Sequence, residues 1–155
     1  MARNDIHIDA TPAQVFEVLS DPQSYAYWVV GSKAVRSADP HWPERGSRFH
    51  HTVGVGPLSI RDHTAVEEVE PGAMLQLHAK ARPFGTARVK LMLDREANGT
   101  RVTMIEDAGD RLSALLFMPL THLLVRGRND KSLERLRELA EAPPAKRRQM
   151  AAAAA

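Results

Sequence analysis

Ile6 and Ile8 alternate with His7 and Asp9, the period of two that marks a half-buried strand. A helix start follows directly. Thr11 suits the N-cap, Pro12 the first helical position, where its missing N–H does no harm, and Gln14 the third, so together they spell a capping box. Val15, Phe16, Val18 and Leu19 give that helix a buried side, and Asp21-Pro22 repeats the signal for a second short helix ending near Tyr25. After Trp28 and Gly31 a strand is predicted over 33–36. From Ser47 onward the pattern is a meander, with strands over 48–53, 58–69, 74–81, 87–94 and 100–107. Turn chemistry separates them: Gly54 to Pro57, a type II turn at Pro71-Gly72, Pro83 to Gly85, and a hairpin at Asn98-Gly99. The longest helical pattern comes last, over 119–141. Val125, Asn129, Leu133, Leu136 and Ala140 recur there at spacings of three and four and share one stripe. Arg126, Arg128, Lys131, Glu134, Arg135, Arg137 and Glu138 occupy most of the remaining circumference.

Such a stripe must lie on another element, and the candidate is the sheet written by residues 47–108. Hairpin pairing tests which side chains share its dry face. Pairing about Asn98-Gly99 sets Leu93 opposite Met104 and Leu91 opposite Glu106, with Lys90 across from Asp107. Pairing about Pro71-Gly72 sets Val66 opposite Leu77 and Thr64 opposite Ala79. If residues 54 and 57 pair, Ile60 faces His51 and Asp62 faces Phe49. Each register gathers apolar residues on one face and leaves Arg61, His63, His78, Lys80, Lys90 and Arg101 on the other. The long helix belongs on the dry face, and a hollow between the two is the expected functional site.

Composition narrows the chemistry. At 155 residues one domain is expected, over 1–142, with 143–155 as a flexible basic and alanine-rich tail. Hydrophobic residues make up 43% and charged residues 26%, ordinary for a globular domain. With no cysteine there are no disulfides, thiolate nucleophiles or Cys-based metal sites. The net charge of +2 points to no nucleic-acid partner. No window is apolar enough for stable membrane insertion, and the first residues lack a signal-peptide core, so a cytoplasmic address is expected. His50 and His51 cannot chelate one ion together, because successive strand residues point to opposite faces. No HxH or HxxxH spacing, Gly-rich phosphate loop or nucleophile elbow appears, so neither a metal nor a cofactor is expected.

The segments IDATPAQVFEVLSDPQSYAYW (8–28), GSRFHHTVGVGPL (46–58), VEEVEPGAML (66–75), NGTRVTMIED (98–107) and RNDKSLERL (128–136) have a familiar order. The chain resembles the SRPBCC (START-like) superfamily, and within it the polyketide cyclase/dehydrase-type branch. The resemblance implies an α+β helix-grip fold: a curved seven-stranded antiparallel sheet wrapped around a long C-terminal helix, with two short helices after the first strand. It also implies a cavity under the helix that takes a hydrophobic small molecule. It implies no particular reaction.

Polar residues on the dry face are the candidate site. Asp62 is read as a ligand contact or general base, or as a structural partner of Arg82 or Thr64. Glu106 would anchor a headgroup, or cap helical turns near Leu112. His51 is a ligand or base candidate, or a satisfied core histidine. Asn129 lies in the apolar stripe and must hydrogen-bond something; family members often carry an asparagine in this RNxxxL context. Gly127 either makes room for a ligand or packs closely on the sheet. Trp28 and Phe84 are expected at the entrance or in the core, and Phe49 and Phe117 between core and pocket. The wall is expected to be aliphatic, from Leu58, Ile60, Leu77, Val89, Leu91, Met104 and Leu120, which suits acyl or isoprenoid chains. Two functions follow. One is a carrier or sensor of a lipid-like molecule, acting as a monomer or weak homodimer. The other is a cyclase or dehydratase in the same cavity, with His51 and Asp62 as its acid and base.

Overall fold

Thr11 N–H donates to Gln14 Oε1 at 2.9 Å and Gln14 N–H donates to Thr11 Oγ1 at 3.3 Å. This reciprocal cap starts helix α1, Pro12–Leu19. The Asp21 carboxylate then accepts from Gln23 N–H at 3.0 Å and opens a 3-10 turn, Pro22–Ser24, which continues as α2, Tyr25–Trp28. The computed structural model describes residues 1–54, 57, 59–80, 85–108 and 119–154, and of 119–123 the backbone alone. Strand β1, Ala2–Ile8, precedes these helices. After them come β2 (Ser32–Ala38), β3 (Arg48–Val53), β4 (Ile60–Glu70), β5 (Met74–Lys80), β6 (Thr86–Glu96) and β7 (Gly99–Ala108), followed by α3 (Pro119–Glu141) and α4 (Pro144–Ala153). The strands form one seven-stranded antiparallel sheet in the order β1-β7-β6-β5-β4-β3-β2. This is the expected α+β helix-grip arrangement.

The sheet keeps the expected faces but corrects two registers. Val66 pairs with Leu77 and Thr64 with Ala79 as expected, although a bulge near Val66 shifts the ladder beyond them. Between β6 and β7, Leu91 pairs with Met104, Val89 with Glu106, Arg88 with Asp107 and Lys90 with Ile105. The turn residues are therefore Ala97 and Asn98, and Gly99 is already in the strand. The cause is β1. A Cβ on Gly99 would lie 2.1 Å from the Ile8 carbonyl oxygen, and its φ is +147°. Glycine serves close approach here rather than the turn corner. Between β3 and β4, Val53 pairs with Ile60, His51 with Asp62 and Phe49 with Thr64. The link over 54–59 is thus longer than expected, and it contains Pro57, which has no N–H for a ladder. Both ladders slip by two residues, so every side chain keeps its face.

Helix α3 runs against β1 and β7 on one side and α1 and α2 on the other. Among its described side chains Asn129, Ser132, Leu133, Leu136, Leu139 and Ala140 are buried. Asn4 on β1 ties it to the sheet, donating to Arg126 O at 3.1 Å and to Asp130 Oδ1 at 2.6 Å. At the other end of the sheet Tyr25, Trp42 and Phe49 form an aromatic cluster, with centroids 4.8–5.7 Å apart. Tyr25 Oη and Trp42 Nε1 both donate to Leu19 O, at 2.9 and 3.2 Å. No helix among the described residues is long and apolar enough to cross a membrane.

Within the basic and alanine-rich tail expected over 143–155, Pro144–Ala153 is helical. Pro143 and Pro144 end α3, and Pro144 then opens α4. Arg147 is buried and donates to the carbonyls of Leu139 (3.2 Å), Ala140 and Ala142 (both 3.5 Å). A cation on these terminal carbonyls offsets the negative end of the helix dipole. The basic run Lys146-Arg147-Arg148 is thus split between solvent and a structural contact.

Two glycines give opposite expectations. Gly99→Ala is expected to cost about 2 kcal/mol or more, because of the Ile8 clash and the positive φ. Gly127 is an exposed helix position with no other atoms within 4 Å of a built Cβ. Gly127→Ala is expected to add about 0.5–1 kcal/mol. Urea denaturation of both variants against the parent checks the pair.

Candidate functional site

Because α3 lies along the β1 side, the inner faces of β3 to β7 border a cavity instead of packing wholly on the helix. Its volume is about 670 Å³. The wall gathers at neighbouring strand ends: Phe49 and Val53, Ile60, Leu77, Val89 and Met104 on successive strands, opposite Trp28, Val29 and Val30. These surfaces are apolar. Polar groups enter from β2 (Ser32), β3 (His51), β4 (Thr64), β7 (Glu106) and α3 (Arg128, Asn129, Ser132), with Lys80 and Thr86 at the ends of β5 and β6.

Most of these polar groups are locked by neighbours. Ser132 Oγ accepts from Val30 N–H at 3.1 Å, fixing the helix to the segment after α2. Arg128 Nη2 donates to both carboxylate oxygens of Glu106 and, at 3.3 Å, to Asn129 Oδ1. The Glu106 side chain is 3% exposed and that of Arg128 44%. The pair therefore joins a charge inside the wall to one that reaches solvent. His51 Nε2 lies 3.0 Å from Thr64 Oγ1, and its ring is 5.4 Å from Phe49. Burial, the largest influence, holds the His51 imidazole below its ordinary pKa of 6.5. It is neutral at neutral pH.

Other groups on the wall have no partner. Trp28 Nε1, Ser32 Oγ, His51 Nδ1 and Asn129 Nδ2 are buried and make no hydrogen bond among the described residues. A buried polar group left unpaired costs about 1–3 kcal/mol. Four such groups on one cavity wall mark it as a place for polar ligand atoms.

Nine of the candidate residues meet here: Trp28, Phe49, His51, Ile60, Leu77, Val89, Met104, Glu106 and Asn129. Asp62 does not join them on the wall. It is buried on β4 directly opposite His51, but its carboxylate accepts from His63 N–H at 3.0 Å and lies 3.4 Å from His63 Nδ1. Leu91 is fully buried in the core, outside the cavity lining. Phe84 and the Leu120 side chain lie outside the described residues, as do Leu58, Arg82, Leu112 and Phe117. A Cβ built on Gly127 meets nothing within 4 Å among the described residues, so the close-packing reading of it does not hold. Sequence reasoning missed Arg128, because helical phase alone puts it on the wet side. Its long side chain reaches back to Glu106. Ser132, three residues after Asn129, was legible as a member of the buried stripe.

The fold and this chamber define a class: helix-grip proteins with a mostly apolar internal cavity between sheet and C-terminal helix. The chain belongs to the family described as polyketide cyclase / dehydrase and lipid transport, of the SRPBCC superfamily, whose profile matches residues 2–141. It is similar in structure to a protein of Chromobacterium violaceum, at 16% identity and a TM-score of 0.68, over 91% of this chain and 97% of that one. A protein of unknown function from Staphylococcus aureus matches at 11% identity and 0.69, over 90% and 92%. DynU16, of the dynemicin biosynthetic locus, matches at 18% and 0.64, over 91% of this chain and 47% of that one. At such identities the likeness is one of fold. No curated protein matches by sequence.

The neutral His51 has a consequence for stability. The unfolded chain takes up this proton near pH 6.5, and the folded chain only at lower pH. Below pH 6.5 the unfolded state thus binds more protons, and stability falls with pH towards the folded value. His51→Gln, uncharged throughout, is expected to lose less stability on acidification than the parent. Denaturant midpoints from neutral to mildly acidic pH measure the difference.

Proposed function

We propose that this protein binds a hydrophobic small molecule in the cavity between sheet and α3, as a carrier or sensor. The observation that carries this reading is a chamber of about 670 Å³ with apolar walls and unpaired polar groups. That volume is in the range of small-molecule sites, where apolar surface supplies affinity and a few polar groups set orientation. The family description, which includes lipid transport, supports the same reading.

A cyclase or dehydratase is the second reading, favoured by one observation. His51 is neutral at neutral pH and keeps an unpaired ring nitrogen on the wall, as a general base requires. Asp62, off the wall, would act on it only through its charge. An enzyme would lose a pH-dependent turnover in His51→Gln, whereas a carrier would change only in affinity.

Native mass spectrometry of the protein from its own host is expected to find a retained apolar molecule. Ala79→Phe, which projects a ring from β5 into the chamber, is expected to abolish that retention. The overpacking should cost no more than about 1–3 kcal/mol of stability. Retention undiminished in a folded Ala79→Phe protein would sink the assignment.

A further inference from the structure

Resting on the binding reading above, we infer that the ligand is uncharged and meets the wall through acceptor oxygens, as a ketone, ester or ether does, and is neither a carboxylate nor an amine. Two observations carry this: which polar groups are already spent, and which remain.

The Glu106 charge on the inner wall is compensated by Arg128. Both oxygens of Glu106 accept from Arg128, so a ligand ammonium there would meet a carboxylate whose charge is already compensated. An anionic head beside this pair would meet the buried Glu106 charge, with the nearest cation already compensated. A charge that loses water without a new partner is costly, and the cost exceeds what one more hydrogen bond returns. Among the described residues the other cation on the lining is Lys80, at the end of β5.

What remains is mainly donors. The indole Nε1–H of Trp28 can only donate. The same holds for the free end of Asn129, and here the structure fixes which end is free. Arg128 has no acceptor atoms, so the amide atom it bonds at 3.3 Å must be the oxygen. The amide nitrogen is then left without a partner. Glu106, Arg128 and Asn129 thus form a relay: the carboxylate orients the guanidinium, which orients the amide. Ser32 Oγ and His51 Nδ1 can serve either role. A complementary ligand head therefore supplies lone pairs and no charge.

The test uses four molecules of one chain length, 2-dodecanone, dodecanoate, dodecylammonium and dodecane, each displacing the neutral dye Nile red at neutral pH. The ketone is expected to bind tightest. Each donor is expected to contribute about 3–10-fold over dodecane. Trp28→Phe and Asn129→Leu should each lower the ketone-to-dodecane ratio by that factor. The ratio is internal to each variant and so is insensitive to a general loss of stability. Glu106→Gln leaves Arg128 uncompensated, and there the order should reverse in favour of dodecanoate. Dodecanoate binding as tightly as the ketone in the parent protein would overturn the inference, and loss of that affinity in Lys80→Gln would trace it to the cavity rim. If neither Nile red nor any of the four molecules binds, the carrier reading itself fails.

Discussion

Everything in this molecule follows from where α3 comes to rest. Its buried stripe must leave water, but the sheet does not receive it centrally. Asn4 on the edge strand holds Arg126 and Asp130, Glu106 on the next strand holds Arg128, and α1 and α2 take the opposite flank. With the helix fixed along that side, the inner faces of β3 to β7 border a chamber. The aromatic cluster of Tyr25, Trp42 and Phe49 joins this wall to a mainly aliphatic core. Solid core and hollow site are two ends of one sheet face.

The wall of that chamber divides its polar groups into two kinds. The buried carboxylates are held by neighbours, Glu106 by Arg128 and Asp62, just off the wall, by its own strand neighbour His63, while the cation Lys80 lies at the end of β5. Those left unpaired are neutral. The division has a physical basis. An uncompensated charge in an apolar cavity would cost several kcal/mol, whereas a neutral donor costs about 1–3 kcal/mol and is relieved by any suitable ligand oxygen. Polarity is thereby available for recognition without destabilising the empty fold severely. The partial exposure of Arg128 contributes to the same end, because the guanidinium keeps part of its hydration while neutralising Glu106.

Much of the architecture could be read from local rules. The Thr11-Pro12-Gln14 cap, the Asp21-Pro22 restart and the alternation along β3 to β7 each rest on contacts within a few residues. They appear in the structure with small shifts of boundary. Registers were less legible. Asn98-Gly99 has the residues of a hairpin corner, yet Gly99 is needed where Ile8 passes close by, a contact ninety residues away in the chain that no turn rule contains. The error was a slip of two, which is why Glu106, His51 and Asn129 were still found on the inner face.

By itself, then, the sequence determined the element order, the two faces of the sheet, the stripe of α3 and the absence of thiol chemistry, because periodicity and capping are short-range physics. Tertiary structure alone decided which inward residues border the cavity and which are core, separating Met104 from Leu91 and His51 from Asp62. It also decided that Arg128 turns inward to Glu106 and that Arg147 folds the end of the chain back onto α3. Those outcomes depend on sheet curvature, helix placement and the reach of long side chains, none of which is written in neighbouring residues.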